Sequence, residues 1–167
     1  MKPSRMAILI LIVIFMGSSP TFAQEASLDQ RLTQDIPLTT LDGRDVSLKQ
    51  CITSRATVIN FTTTWCSDCK ELSGIMNRLI PEFQPQGIDF IFIYVGQRKA
   101  QLEQALGDAV KSDTPLRLLD VGRSLSQSLS ITSVPTLFMV DDKGNIRFEG
   151  FSIDEDGLSQ EMTELLR

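Results

Sequence analysis

Segments typical of buried β-strands alternate with segments typical of amphipathic helices along this chain, and that alternation constrains its fold more than any other feature. Residues 56–64, ATVINFTTT, and residues 87–96, GIDFIFIYVG, are rich in β-branched and aromatic residues and too short to be helices. Between them, apolar side chains from Leu72 to Ile80 recur three and four residues apart, which predicts one buried helix face that bends or ends at Pro81. Strands separated by helices in this way are expected to pair in parallel.

The flanking segments predict two hairpins, one further strand and three further helices. The hairpins are predicted over residues 36–48 and 136–151, with turns at Asp42-Gly43 and at residues 142–145. The strand is predicted near residues 114–120, and the helices over residues 99–110, 123–129 and 154–166. The sequence therefore predicts an α/β protein, with a mixed central sheet, helices on both faces and an N-terminal β-hairpin.

The composition of the 167 residues is that of one globular domain, with 42% hydrophobic and 22% charged residues. The net charge of −5 argues against a nucleic-acid partner, because proteins that bind nucleic acid gain affinity by neutralising phosphates. Histidine is absent, which excludes catalytic mechanisms that need imidazole and removes the ligands of most zinc sites. No metal is therefore expected.

The first 23 residues have the pattern of a signal peptide. Two basic residues precede an apolar run over residues 6–16, and small residues stand at positions 21 and 23, which a signal peptidase reads. The run is shorter than the ~20 residues of a spanning helix, which favours cleavage over retention as an uncleaved anchor. We expect a signal peptide over residues 1–23, a flexible segment over 24–34, a domain over 35–167 and a periplasmic location.

Two cysteines, Cys66 and Cys69, stand where the strand over residues 56–64 gives way to the helical pattern. The free N–H groups at a helix start carry partial positive charge, so a sulfur there ionises more easily, and only a thiolate attacks a disulfide. The spacing places the second sulfur one turn into the helix, within bonding distance of the first. Cys66 is expected to be exposed and attacking, and Cys69 shielded and resolving. Lys70 adds a positive charge nearby, which Asp68 opposes.

Two other roles for this pair are less favoured. A zinc site would need further ligands, and the chain has neither histidine nor a second C-x-x-C. A structural disulfide would close a loop too small to restrict the unfolded chain much. The expected redox group is therefore the Cys66–Cys69 disulfide itself, without another cofactor. The third cysteine, Cys51, is expected to be a small buried apolar residue, with an intermolecular link or a regulatory thiol as alternatives.

Pro135 stands immediately before the first strand of the second hairpin, in the sequence ITSVPTLFMV. A proline is tolerated at the start of a strand. In an α/β protein with a C-x-x-C pair, it suggests a cis peptide bond between Val134 and Pro135. Such a turn would present the backbone of Val134 beside the cysteines, where an extended substrate could add as a strand.

Four pieces of the chain carry a resemblance to a known superfamily: LTTLDGRDVSL, VINFTTTWCSDCK, SVPTLFMVDDKGNI and the final helix. They cover about residues 36–166 and resemble the thioredoxin superfamily, in particular the secreted or membrane-anchored bacterial TlpA-like and ResA-like thiol–disulfide oxidoreductases. The resemblance implies a thioredoxin-like fold, a nucleophilic Cys66, a resolving Cys69 and a cis-Pro135 beside the sulfurs. It also implies that Trp65 shapes the site surface, although the spacing is equally consistent with a partly buried packing residue.

This sequence departs from the family pattern at three places. Ser67 and Asp68 stand between the cysteines, without the proline common in these relatives, which leaves the redox potential and the direction of electron flow open. Asn60 occupies the strand position where cytoplasmic thioredoxins carry a buried acid, and an amide cannot accept the proton of Cys69. Glu71 precedes the family's helix glutamate by one position and is interpreted as a solvated helix residue, with proton acceptor as the alternative.

The predicted function is that of an extracytoplasmic thiol–disulfide oxidoreductase that reduces disulfides of exported proteins. The resemblance implies that Cys66 attacks and Cys69 resolves, with apocytochrome cysteines before haem attachment as one example of a substrate. The expected partners are protein disulfides or dithiols and a membrane electron donor or acceptor, and the protein is expected to be a monomer. The alternatives are an oxidase or isomerase that donates its disulfide, and a non-catalytic module that binds a partner.

Overall fold

A sheet of seven strands forms the centre of the protein, in a computed structural model that describes residues 27–151 and 153–167. In chain order the strands are β1 (Pro37–Thr40), β2 (Asp45–Ser47), β3 (Ala56–Thr62), β4 (Ile88–Val95), β5 (Leu116–Asp120), β6 (Thr136–Asp141) and β7 (Ile146–Gly150). Across the sheet their order is β2-β1-β5-β4-β3-β6-β7. The pairs β3–β4 and β4–β5 are parallel and the other pairs are antiparallel. The predicted mixed sheet with its N-terminal hairpin is confirmed.

Six α-helices formed by the described residues pack against this sheet: α1 (Leu28–Leu32), α2 (Leu48–Cys51), α3 (Ser67–Phe83), α4 (Lys99–Leu106), α5 (Ser124–Ser128) and α6 (Glu155–Leu165). Because side chains alternate across a strand, β4 sends Phe90 and Phe92 to one face and Ile91 and Ile93 to the other. The first face packs against α3, α4 and α6, and the second against α1, α2 and α5, so helices cover both faces as predicted. Within the two described ranges, no helix has both the length and the apolar character that crossing a bilayer requires.

The strand β3 lies in the middle of the sheet, between the parallel β4 and the antiparallel β6. All seven of its residues are buried, because strands cover both of its edges and helices both of its faces. The carboxyl ends of β3, β4 and β5 therefore meet at one edge of the sheet, where β6 begins. We call this edge the cysteine edge, because residues 63–69 follow β3 there, and we call the edge at Asp141, where β6 ends, the far edge.

Part of the segment predicted to be flexible, residues 24–34, is helical in the structure. Residues 28–32 form the helix α1, in which Leu32 is fully buried. The Asp29 carboxylate accepts a hydrogen bond from the Ile146 N–H of β7 at 2.7 Å. Because these contacts tie α1 to the core and to the far edge, the domain begins before residue 35. The predicted signal peptide over residues 1–23 lies outside the described residues.

Three helix boundaries also differ from the predictions. The sequence patterns do not predict α2, a short helix that begins directly after Ser47 at the end of the first hairpin, where the Ser47 N–H donates to the Gln50 side chain at 2.9 Å. The helix α3 continues two residues beyond Pro81, because a proline in the last turn removes only one hydrogen bond of the helix. The helix α4 ends at Leu106, where Gly107 adopts a positive φ of 55° and a 3-10 helix follows.

Candidate active site

Cys66 is the residue at which the chain enters α3 at the cysteine edge. Its backbone is extended, with φ −80° and ψ 130°, and its Sγ accepts a hydrogen bond from the Cys69 N–H at 3.2 Å. The sulfur therefore takes the place of an N-cap oxygen and satisfies one of the free N–H groups of the helix start. Cys66 is partly exposed, so a sulfur of another molecule can reach it.

Cys69 lies one turn further into α3 and is fully buried. Burial raises the pKa of its thiol above the ordinary 9.0, and the hydrogen bond with the Cys66 sulfur raises this pKa further. Hydrogen bonds involving Thr63 and Thr62 lower the pKa of Cys69, but they do not offset the burial. The Cys69 thiol is therefore protonated at neutral pH and must lose its proton before it attacks a disulfide. One exposed and one shielded sulfur is the arrangement that the sequence predicts.

The loop before β6 brings Val134 and Pro135 to the cysteines. The peptide bond between these two residues is cis. The Cys66 thiol donates a hydrogen bond to the Val134 carbonyl, with 3.7 Å between Sγ and oxygen. The hydroxyl of Thr136 in turn donates to the Ser133 carbonyl at 2.8 Å, which fixes the loop around the proline. Main-chain groups therefore lie directly beside the partly exposed sulfur, where an extended peptide can reach them.

Gln97, which sequence reasoning missed, holds the segment that leads into the cysteines. Its side chain is 3% exposed and makes two hydrogen bonds to Thr64. The Thr64 N–H donates to Oε1 at 2.8 Å, and Nε2 donates to the Thr64 hydroxyl at 2.7 Å. Because Thr64 immediately precedes Trp65 and Cys66, these bonds fix the backbone from which the Trp65 and Cys66 side chains extend. One sequence signal could have identified Gln97: it is a polar residue directly after the strand over residues 87–96, and the carboxyl end of a parallel strand is a common place for functional residues.

Trp65 lies on the surface next to Cys66, with 71% of its area exposed. This exposure contradicts the alternative of a partly buried packing residue. The side chain forms one wall of a groove that also contains Val134 and Arg123. On the other side of the cis bond, Pro135 lies in a smaller depression with Asp68 and Glu71. Two surfaces of different character therefore flank the cysteine pair.

The other predicted site residues lie around α3. Ser67, Asp68, Lys70 and Glu71 are exposed, and the Ser67 hydroxyl donates to the Asp68 carboxylate at 3.1 Å. The exposure of Glu71 agrees with its interpretation as a solvated helix residue. Asn60 is fully buried on the face of β3 below α3, where its Nδ2 donates to the Ser73 hydroxyl at 3.5 Å.

Cys51 lies apart from this constellation, at the end of α2. It is half-buried and packs against the core on the face of α1, α2 and α5, and burial raises the pKa of its thiol. The expectation of a buried apolar residue is therefore only partly met. In the part of the chain that the structure describes, no group of three or more His, Cys, Asp or Glu residues could hold a metal ion.

Comparison with protein-family models assigns the chain to a family. The family model described as Redoxin matches residues 12–163. The chain belongs to the Redoxin family. This match covers most of the chain, and with the fold it confirms the predicted placement in the thioredoxin superfamily.

Curated relatives of this Redoxin-family chain include proteins named thiol-disulfide oxidoreductase ResA. The protein from Geobacillus thermodenitrificans is 26% identical over 113 residues, which cover 68% of this chain and 63% of the relative. The match thus spans less than two thirds of that relative's length. A protein from Bacillus cereus is 24% identical over 156 residues, which cover 87% of each chain. Their names agree with the enzyme class that the sequence predicts.

Among solved structures, the chain is similar to the thioredoxin domain of a thiol-disulfide oxidoreductase from Bacteroides vulgatus. The TM-score is 0.68 at 19% sequence identity, over 81% of this chain and 96% of that domain. This likeness confirms that the Redoxin-family chain has the predicted thioredoxin-like fold.

Proposed function

We propose that this Redoxin-family protein is a thiol–disulfide oxidoreductase whose redox centre is the pair Cys66 and Cys69. One observation carries the proposal: the partly exposed Cys66 sulfur caps α3 beside the Val134 carbonyl, while Cys69 is buried one turn behind it. A pair arranged in this way lets one sulfur meet a substrate and keeps the other from reacting with solvent oxidants.

In the reducing direction, the Cys66 thiolate attacks one sulfur of a substrate disulfide. The substrate S–S bond breaks, and its second sulfur leaves as a thiolate that takes a proton from solvent. Cys69 then gives up its proton and attacks the Cys66 sulfur, which releases the other substrate sulfur and closes the Cys66–Cys69 disulfide. Two electrons have passed to the substrate, and a dithiol reductant must reopen the protein disulfide before the next cycle.

The residues around the pair hold the substrate during this exchange. An extended substrate segment would replace the Cys66 thiol as the hydrogen-bond donor to the Val134 carbonyl, as in strand addition. Trp65 would cover one side of the mixed disulfide, and Pro135 would border the other. Gln97 would keep Thr64, and so the start of the active segment, in place while Cys66 is linked to the substrate.

The test of this proposal is the reduction of insulin by dithiothreitol, followed by the turbidity of the freed chains. The wild-type protein is expected to accelerate it, and Cys66→Ser is expected to lose the acceleration entirely. Cys51→Ser is the matched control and is expected to keep it, because Cys51 lies away from the pair. A folded wild-type protein that does not accelerate the reaction would overturn the proposal and favour a non-catalytic binding module.

We infer further that the protein works outside the cytoplasm and reduces disulfides of exported proteins, such as apocytochrome cysteines before haem attachment. The signal-peptide pattern and the ResA names support this inference. A membrane protein would then supply the electrons. Equilibration of the Cys66–Cys69 pair with glutathione distinguishes the directions, because a potential of about −270 mV indicates a reductant and one of about −120 mV an oxidant.

The substrates themselves can be captured with Cys69→Ser. This variant lacks the resolving sulfur, so mixed disulfides formed on Cys66 are expected to accumulate. Cys66→Ser is the control, because it retains the surface but offers no attacking sulfur. Capture of exported proteins by Cys69→Ser alone supports the inference, and capture of cytoplasmic proteins alone contradicts it.

A further inference from the structure

A groove leads away from the cysteine pair toward α5, and we call it the Trp65 groove. It holds about 400 Å³ and is lined mainly by apolar atoms. Its lining includes Trp65, Val95, Arg123, Ile131 and Val134. Because Trp65 precedes Cys66 in the chain and Val134 accepts the hydrogen bond of the Cys66 thiol, the groove lies next to the attacking sulfur. A substrate segment bound at Cys66 must therefore place neighbouring side chains in it or above it.

Arg123 is the charged wall of the Trp65 groove, and its backbone conformation is unusual. It precedes α5 with a φ of 59° and a ψ of 21°, in the left-handed region. Residues other than glycine, asparagine and aspartate are uncommon in this region, because the Cβ of the residue comes too close to the following carbonyl oxygen. The arginine thus occupies a position that glycine would fill with less strain, which points to a use for its side chain.

The side chain of Arg123 has no ionic partner among the described residues. It crosses the backbone of Gly96 so closely that a Cβ at residue 96 would lie 2.9 Å from the Arg123 Nε. No carboxylate of residues 27–151 and 153–167 lies within ion-pair distance of Arg123. The nearby Asp120 carboxylate is buried and accepts hydrogen bonds from Ser126 instead. Arg123 therefore presents a free positive charge to the groove.

The charge has the opposite sign on the other side of the cysteine pair. There Asp68, Glu71 and Asp154 surround the depression that contains Pro135. An acidic substrate side chain would be repelled on that side and attracted by Arg123 in the Trp65 groove. The charge distribution across the Val134–Pro135 bond therefore favours one placement of an acidic residue.

We propose that Arg123 binds a carboxylate side chain of the substrate protein close to its target cysteine, and so selects substrates with an acidic residue at that place. The inference rests on the function proposed above. The occupant of the Trp65 groove is an extended substrate segment whose main chain pairs at Val134, with its acidic side chain directed to Arg123. Arg123 acts on binding and touches none of the reacting sulfurs.

The test uses three peptides that each carry one disulfide and differ only in the residues flanking the cysteine, which are Glu, Gln or Lys. Dithiothreitol recycles the protein, and kcat/KM is measured for each peptide. The wild type is expected to prefer the Glu peptide over the Lys peptide by about two- to fivefold, as for an exposed charge pair. The preference is expected to shrink in about 0.5 M salt, because exposed charges are then screened.

Two variants at position 123 separate charge from backbone effects. Arg123→Glu is expected to reverse the preference between the Glu and Lys peptides. Arg123→Gly is expected to abolish the preference while keeping or raising the Tm, because glycine adopts a positive φ without strain. Lys49→Glu is the matched control, since it makes the same charge change on the exposed surface of α2 near the far edge.

The outcomes distinguish this inference from the function on which it rests. Equal rates with all three peptides, or a preference that survives in Arg123→Glu, would overturn the role of Arg123 and leave the oxidoreductase intact. A reversed preference in Lys49→Glu would also overturn it, since net charge alone would then explain the selectivity. If the wild type reduces none of the peptides and does not accelerate insulin reduction, the proposed function fails and this inference fails with it.

Discussion

At the far edge of the sheet, both carboxylate oxygens of Asp141 accept hydrogen bonds, whereas at the cysteine edge the Arg123 guanidinium has no anionic partner among the described residues. Asp141 receives the Lys143 N–H at 3.0 Å and the Asn145 N–H at 2.9 Å, and it pairs with Arg147 at 2.9 Å. The far edge is also covered by α1, while Trp65 at the cysteine edge is largely exposed.

This contrast separates the part of the protein that is complete by itself from the part that needs another molecule. The Asp141 carboxylate and the buried Leu32 side chain at the far edge find their partners within the chain, so they contribute to the stability of the fold. At the cysteine edge an exposed apolar side chain and a cation without an anionic partner among the described residues remain available to a substrate. Binding sites are commonly found where such groups are exposed. Substitutions at the two edges should therefore have different consequences.

The largest effect on stability is expected from Leu32→Ala near the far edge. Leu32 is fully buried where α1 meets the core, and removal of a buried leucine side chain costs about 2–5 kcal/mol of unfolding free energy. Chemical denaturation measures this loss, and the rate of insulin reduction by the folded variant is expected to equal that of the wild type. Unchanged stability would mean that α1 is not part of the cooperative domain.

A smaller loss of stability with a loss of activity is expected from Gln97→Leu. The Thr64 N–H and hydroxyl lose their partners, which costs about 1–3 kcal/mol of unfolding free energy, and the Trp65–Cys66 segment loses its anchor. We expect kcat for peptide disulfide reduction to fall about tenfold, since a misplaced nucleophile reacts slowly.

Gln97→Glu provides the control for that prediction. Its carboxylate can accept both the N–H and the hydroxyl of Thr64, so part of the lost stability is expected to return, while burial of the charge offsets the rest. The equilibrium constant of the Cys66–Cys69 pair with glutathione is measured in both variants, because a purely structural role would leave it at the wild-type value. If Gln97→Leu loses stability but keeps the wild-type kcat and equilibrium constant, Gln97 supports the fold alone.

The smallest effect is expected from Asp141→Asn, and it depends on pH. Burial raises the pKa of Asp141, but hydrogen bonds from Asn145, Lys143 and Arg147 outweigh it and hold the pKa below the ordinary 3.8. The carboxylate therefore stabilises the fold above about pH 4, and its contribution disappears as the pH falls through the lowered pKa.

Near neutral pH we expect Asp141→Asn to lose about 1 kcal/mol of unfolding free energy, the net value of a typical intramolecular hydrogen bond. Disulfide exchange should be unchanged, because Asp141 lies at the far edge. Urea unfolding near neutral pH and again at about pH 3 tests this, and the difference between wild type and variant should narrow in acid. A difference that grows on acidification would contradict the account of Asp141.

Much of the fold was predictable because its patterns are local. The buried runs that became β3 and β4, and the helical spacing from Leu72 to Ile80 in α3, depend only on neighbours along the chain. The sequence patterns did not predict α1, because only one of its five residues is a buried leucine and the segment around it is polar. The short α2 was missed for the same reason, since four residues are too few for a helical period.

The amino-acid sequence by itself determined the alternation of strands and helices and the presence of two cysteines at a strand-to-helix junction, because both are properties of adjacent residues. Only the tertiary structure brought Gln97 to Thr64, 33 residues away, and laid Arg123 across Gly96. The reason is physical: which side chains meet at the end of a sheet depends on strand order and register. These are fixed when the whole domain packs, and no local pattern encodes them.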